Sequence, residues 1–139
     1  MGGKINSAMG ESMGNKGSAL EIKITDPLIL LRLNKRSPED DVENMAGMQL
    51  YERARCCWRV NLNSAQRAKF ALAVFRGIVL EVYVIEKWRH PADTRPPRHP
   101  ADKERWEFTG KIADESVRGR FIGRYVPLRG SNPVKYVNC

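Results

Sequence analysis

Apolar residues gather in a few blocks along the chain, and their spacing predicts the elements. "PLILLRLN", residues 27–34, is a short apolar run closed by Pro27 at one end and by Asn34-Lys35-Arg36 at the other, which predicts a strand. "SPEDDVENMAGMQLYERARCCW" changes the period. Val42, Met45, Ala46, Leu50, Ala54 and Cys57 fall on one helical face. Ser37 suits the N-cap and Pro38 the first turn, while Glu39, Asp40 and Asp41 complement the positive end of the helix dipole. Gly47 costs about 1 kcal/mol relative to alanine and marks a place where this helix can break. A second short helix is expected over residues 64–69, capped by Asn63 or Ser64.

"FALAVFRGIVLEVYVIEKW", residues 70–88, is the most apolar part, and its Val, Ile, Leu, Phe and Tyr favour strand. Arg76-Gly77 divides it into two arms of strand length, 71–75 and 78–87. Gly77 can supply the positive φ of a two-residue hairpin turn, but arginine is a poor residue there. A bend or bulge within one continuous strand is the other reading. In the second arm Val79, Glu81, Tyr83 and Ile85 point one way, and Ile78, Leu80, Val82, Val84 and Glu86 the other.

"RHPADTRPPRHPAD" holds four prolines and a repeated "HPAD", so an exposed proline-rich loop is expected over residues 89–104. It joins two antiparallel strands, 78–88 and 105–112. "RWEFTGKIA" alternates Trp106, Phe108 and Gly110 with Glu107, Thr109 and Lys111, as a half-buried strand does. "DESVRGRFIG" predicts a short helix capped by Asp114 and ended by Gly123, and residues 133–137 a last strand. Residues 1–19, rich in Gly, Ser and Met, are expected to form a flexible tail, leaving residues 20–139 as a single domain. The order β-α-α-β-β-β-α-β lacks a repeated βαβ rhythm. It predicts an α+β fold: a small, mostly antiparallel curled sheet or barrel of about five strands, flanked by two or three helices.

Charge adds a partner class. The net charge is +8, unevenly spread: residues 20–52 carry −3, residues 53–76 carry +6 with no acid, and residues 107–139 carry +3. That asymmetry suits an anionic partner, most simply nucleic acid, or else a solvated basic surface. Arg76, Glu81 and Glu86 interrupt the longest apolar run, so no membrane span is expected. The first residues lack an apolar signal region, and an odd count of three cysteines favours a reducing, cytoplasmic setting. Adjacent Cys56 and Cys57 can form a vicinal disulfide, a reactive thiol pair or a packed pair at a helix end. His90 and His99 complete no zinc pattern with the cysteines, so neither metal nor cofactor is expected.

The order strand, helix, "CCWRV", short helix, "FALAVFRGIVLEVYVIEKW" and "RWEFTGKIA" resembles the small barrels of the PUA-like superfamily, which includes the ASCH, EVE and YTH domains. The resemblance covers residues 27–139 and rests on element order and the strand–Gly–Ile-Val–strand hairpin. It implies a barrel that binds RNA or modified bases in DNA through aromatic and basic groups around a pocket on the barrel face. On the residues themselves, Arg59, Arg76, Arg118, Arg120, Arg124 and Lys135 are candidate phosphate contacts and Trp58 a stacking platform. The plainer readings are that Trp58 packs the helix onto the sheet, that the arginines form a solvated face, and that Trp88 and Trp106 face each other across a strand pair. No catalytic signature is present: there is no Walker-type loop, H-E-x-x-H or G-x-S-x-G. Glu81 and Glu107 are placed to meet across neighbouring strands, but neither has a partner base, and no enzyme is expected. Two other classes compete with nucleic-acid binding. One is a protein-interaction or homodimerisation module using an apolar strand edge. The other is a barrel holding a nucleoside-like small molecule.

Overall fold

Strands β1 (Leu28–Leu33) and β2 (Phe70–Phe75) are apolar at nearly every position because both of their faces are covered. The computed structural model describes residues 25–91 and 105–139. The expected tail, residues 1–19, and most of the expected proline-rich loop lie outside the described residues. β1 and β2 run parallel, with Leu28 opposite Phe70 and Leu33 opposite Phe75. Three further strands complete the sheet: β3 (Ile78–Arg89), β4 (Glu107–Ile112) and β5 (Val134–Val137). The order is β4-β3-β2-β1-β5, and every pairing other than β1–β2 is antiparallel.

Helices α1 (Gly47–Arg55) and α2 (Leu62–Arg67) make the crossover between β1 and β2. Ile29, Leu31, Leu33, Ala71, Ala73 and Phe75 pack in one cluster with Leu50 and Ala54 of α1. Leu28, Leu30, Phe70, Leu72 and Val74 pack in another with Phe121 of α3 (Glu115–Phe121). Three layers result. The expected five-stranded, mostly antiparallel sheet with helices is present, but it is open, with β4 and β5 as its edges, and does not close into a barrel. The physical reason is the helical crossover. It makes the central pair parallel, and helices then cover both faces where a barrel would wrap a single interior.

The first helix departs from the expected span. A 3-10 turn, Val42–Asn44, is followed by extended Met45 and Ala46, and α1 begins at Gly47 with φ 59°. Glycine therefore starts the helix instead of interrupting it. The cap of α2 is Asn61, not Asn63 or Ser64; its Oδ1 accepts from the Ser64 N–H at 3.2 Å.

Arg76 (φ 51°) and Gly77 (φ 83°) both have positive φ and form the two-residue turn of a hairpin, the geometry of a type I′ turn. The long apolar stretch is therefore two strands. Its second arm does not alternate simply. Ala73 pairs with Glu81 and Val74 with Val79, so Leu80 is the extra residue of a bulge. As a result Val79 packs with Val82 on the α3 side and Leu80 with Tyr83 on the α1 side. A second irregularity lies between Ile85 and Lys87. Trp88 then stands opposite Phe108, with ring centroids 5.5 Å apart, and not opposite Trp106. Trp106 forms an isolated bridge with Trp58. Among the described residues no helix is long and apolar enough to cross a membrane.

Candidate functional site

The carboxyl ends of β1 and β2 emerge at the same end of the sheet, since Leu33 and Phe75 are partners. The chain there is basic: Asn34-Lys35-Arg36 follow β1, and Arg76 follows β2. On the other side of β1, β5 is entered through Asn132 and Pro133. Between that entry, the exit of β1 and the end of α1 lies a cleft of about 610 Å³. Arg32, Lys35, Arg36, Arg53, Arg59 and Arg105 line it, and among the described residues none of its lining is acidic. Buried Leu33, Cys56 and Trp58 contribute to its walls.

Two of these cations, Arg32 and Arg105, are fixed in place by neutral groups. Arg32 donates through Nη1 to the Gly130 carbonyl at 2.8 Å and through Nη2 to the Leu128 carbonyl. Arg105 donates through Nη1 to the Cys57 carbonyl at 3.2 Å. A carbonyl orients a guanidinium but carries no charge to cancel it. The Arg36 side chain is exposed and makes no hydrogen bond or ion pair among the described residues. Arg53 and Lys35 have carboxylate partners among the described residues. Arg53 Nη2 contacts both oxygens of Asp40 at 2.9 Å, and Lys35 lies 3.6 Å from Glu43. Arg53, with help from the Arg36 backbone N–H at 2.9 Å, holds the Asp40 carboxyl below its ordinary pKa.

The α1–β4 junction supports the cleft. Trp58 and Trp106 exchange backbone hydrogen bonds of 2.9 and 2.8 Å. The Trp58 indole donates to the Ala54 carbonyl at 2.8 Å and belongs to the core. It therefore walls the cleft as a buried group and does not stand out as a stacking platform. His90 stacks on Trp106 at 3.9 Å, with Nδ1 3.2 Å from the Arg105 carbonyl. Cys56 and Cys57, joined by a disulfide, also line the cleft, and Cys139 is the free thiol.

Outside the cleft, Arg55, Arg89, Arg118 and Arg120 meet acids. Arg118 donates to both oxygens of nearly buried Glu81, at 2.8 and 3.1 Å, and also contacts Glu115. Its pKa is raised by Glu81 first and by Glu115 next. Arg120 lies 3.3 Å from Asp26, with its guanidinium over Phe121. Arg55 bridges Glu52 at 2.7 Å and fully buried Glu107 at 2.8 Å, and Arg89 contacts the other oxygen of Glu107 at 2.8 Å. Glu81 and Glu107 thus do not meet. Glu107 pairs with Arg89, far along β3 from Glu81, a separation on the order of 25 Å at about 3.3 Å per residue.

Of the seven residues singled out from the sequence, Trp58 and Arg59 line the cleft. Arg76 leaves the same end of the sheet one strand away, its guanidinium 4.9 Å from the centre of the Phe75 ring. Arg124 lies beside the hairpin, its carbonyl accepting from the Val79 N–H at 3.1 Å. Arg118 and Arg120 belong to α3, in the layer over the other face, and Lys135 is exposed on edge strand β5. Sequence reasoning missed Arg32, Lys35, Arg36, Arg53 and Arg105. For the first three a signal existed, a basic run at the carboxyl end of a strand apolar on both faces; Arg105 had none. No protein-family model, curated protein or solved structure matches this chain.

Proposed function

We propose that this chain is a nucleic-acid-binding module whose anionic ligand enters the cleft at the carboxyl end of β1. One observation carries the reading. Arg32 and Arg105 in the cleft are pinned by neutral carbonyls, so their charge is held in place and left uncancelled beside the carboxylate-paired Arg53 and Lys35, whereas Arg55, Arg89, Arg118 and Arg120 are matched with carboxylates. Holding guanidiniums in place before a ligand arrives lowers the entropy lost when they grip phosphate oxygens. Arg59 also lines the cleft, and Arg76 lies beyond it at the same end of the sheet. The expectation drawn from the PUA-like resemblance is kept in its ligand class, but the proposed contact moves from a barrel face to the carboxyl end of the sheet.

Fluorescence anisotropy with a labelled single-stranded oligonucleotide tests this. Binding should weaken with added salt, with a log–log slope of about −2 to −3 for three or four phosphate contacts on a single strand. Absence of salt-dependent binding at low ionic strength refutes the reading.

A further inference from the structure

We infer that the cleft receives a terminal phosphomonoester of a nucleotide, at a strand end or free in solution, with Arg36 and Arg105 among the groups that grip it. This rests on the nucleic-acid reading above and names the ligand group for the same site.

The arrangement of the cations points to a concentrated charge. A surface that tracks a backbone sets its cations in a row, one per phosphate. Here they converge on one space from three separate stretches of chain: the exit of β1, the end of α1 and the entry to β4. The volume, about 610 Å³, falls within the roughly 300–1,000 Å³ of pockets for small molecules. An internal phosphodiester brings one negative charge. A terminal phosphate brings about −1.5 to −2 and three strong acceptor oxygens.

Donors remain to meet those oxygens. A guanidinium has five N–H groups. Arg105 commits Nη1 to Cys57, and the Arg36 side chain makes no bond among the described residues. Arg53 is already matched, because the Asp40 carboxylate accepts from it through both oxygens and from the Arg36 backbone N–H as well. That internal carboxylate shows how this loop holds an oxyanion; it also feels the charge of Arg36 without bonding to its guanidinium, so the Arg36 N–H donors stay open to an external oxyanion, as does the carbonyl-held charge of Arg105 and Arg32. Leu33, Trp58 and Pro133 add apolar wall for the attached sugar or base.

The test uses the full chain and one short single-stranded sequence, labelled internally, in three forms: with a 5′-phosphate, with a 3′-phosphate, and with hydroxyls at both ends. A nucleoside monophosphate and the matching nucleoside serve as competitors. One phosphorylated form should bind about tenfold more tightly than the hydroxyl-ended form. The monophosphate should compete and the nucleoside should not. If the monophosphate matches the phosphorylated strand in affinity, the free nucleotide is the source; if it competes only weakly, the strand end is. Arg36→Glu should abolish the preference for phosphate, and circular dichroism will show whether that exposed substitution leaves the fold intact. Salt-dependent binding of equal strength to phosphorylated and hydroxyl-ended strands overturns the inference and leaves the nucleic-acid reading standing. No binding to any strand, with the monophosphate still bound, overturns the nucleic-acid reading and keeps the phosphate site. Absence of binding to strands and monophosphate alike overturns both.

Discussion

Replacing Glu107 with glutamine should cost about 3 kcal/mol of folding stability. The carboxylate is fully buried, with one oxygen 2.8 Å from Arg55 Nη1 and the other 2.8 Å from Arg89 Nε. Glutamine keeps the volume but removes the charge and turns an amide donor toward one of the guanidiniums. Breaking a buried pair by neutralising one partner costs about 3–5 kcal/mol. Two features place this case at the low end. Arg55 keeps Glu52 at 2.7 Å, and the Arg89 side chain is 31% exposed, so water can re-solvate part of its charge. A domain of this kind is stable by only about 5–15 kcal/mol, so the loss is large. It should also reach the cleft, because Arg105 and the Trp58–Trp106 bridge sit immediately before Glu107 on the same stretch of chain. Urea unfolding of both proteins, followed by tryptophan fluorescence, gives the difference from the shift in midpoint at constant slope. A difference below about 0.5 kcal/mol, the range of ordinary surface substitutions, refutes the assignment of this pair as a buried structural element.

Three further outcomes are expected. Arg76→Asn should raise stability by about 0.5–1 kcal/mol, less whatever the stacking of Arg76 on Phe75 contributes, because asparagine tolerates positive φ in a type I′ turn; thermal melting reads this, and a clear loss contradicts the turn. Gly110→Ala should destabilise by at least about 2 kcal/mol, since an added Cβ would lie 2.1 Å from the Val84 carbonyl oxygen, a backbone atom that cannot rotate away; chemical denaturation with unchanged stability contradicts the β3–β4 register. Asp40 has a lowered pKa, so the stability from its contact with Arg53 is present above the ordinary aspartate pKa and is lost as pH falls through the lowered value; urea midpoints measured down the acid limb should fall less steeply for Asp40→Asn than for the natural chain, and parallel limbs contradict the pairing.

The central strands were legible because burial on both faces leaves a nearly continuous apolar run, as in "LILLRL", interrupted only by Arg32, and "FALAVF". Their parallel pairing was not, because an apolar strand reads the same in either direction and only the crossover sets it. The Arg76-Gly77 turn was legible from glycine, while the arginine argued against the turn that formed. The bulge at Leu80 exchanged faces in the second arm, which strict alternation cannot foresee. For the site, the basic bias was visible but its location was not. Sequence counts charges without showing which arginines meet carboxylates. Arg118 and Arg120 looked like contact residues and are matched by Glu81 and Asp26, while Arg32 and Arg105, held by carbonyls, were overlooked.

The most direct measurement compares two charge reversals that alter net charge equally, Arg36→Glu in the cleft and Lys87→Glu on the exposed part of β3 outside it. Anisotropy of a single-stranded oligonucleotide at low salt should show Arg36→Glu weakening binding about tenfold or more and Lys87→Glu changing it by less than about twofold. Equal weakening by both, or none by either, contradicts a cleft-centred site.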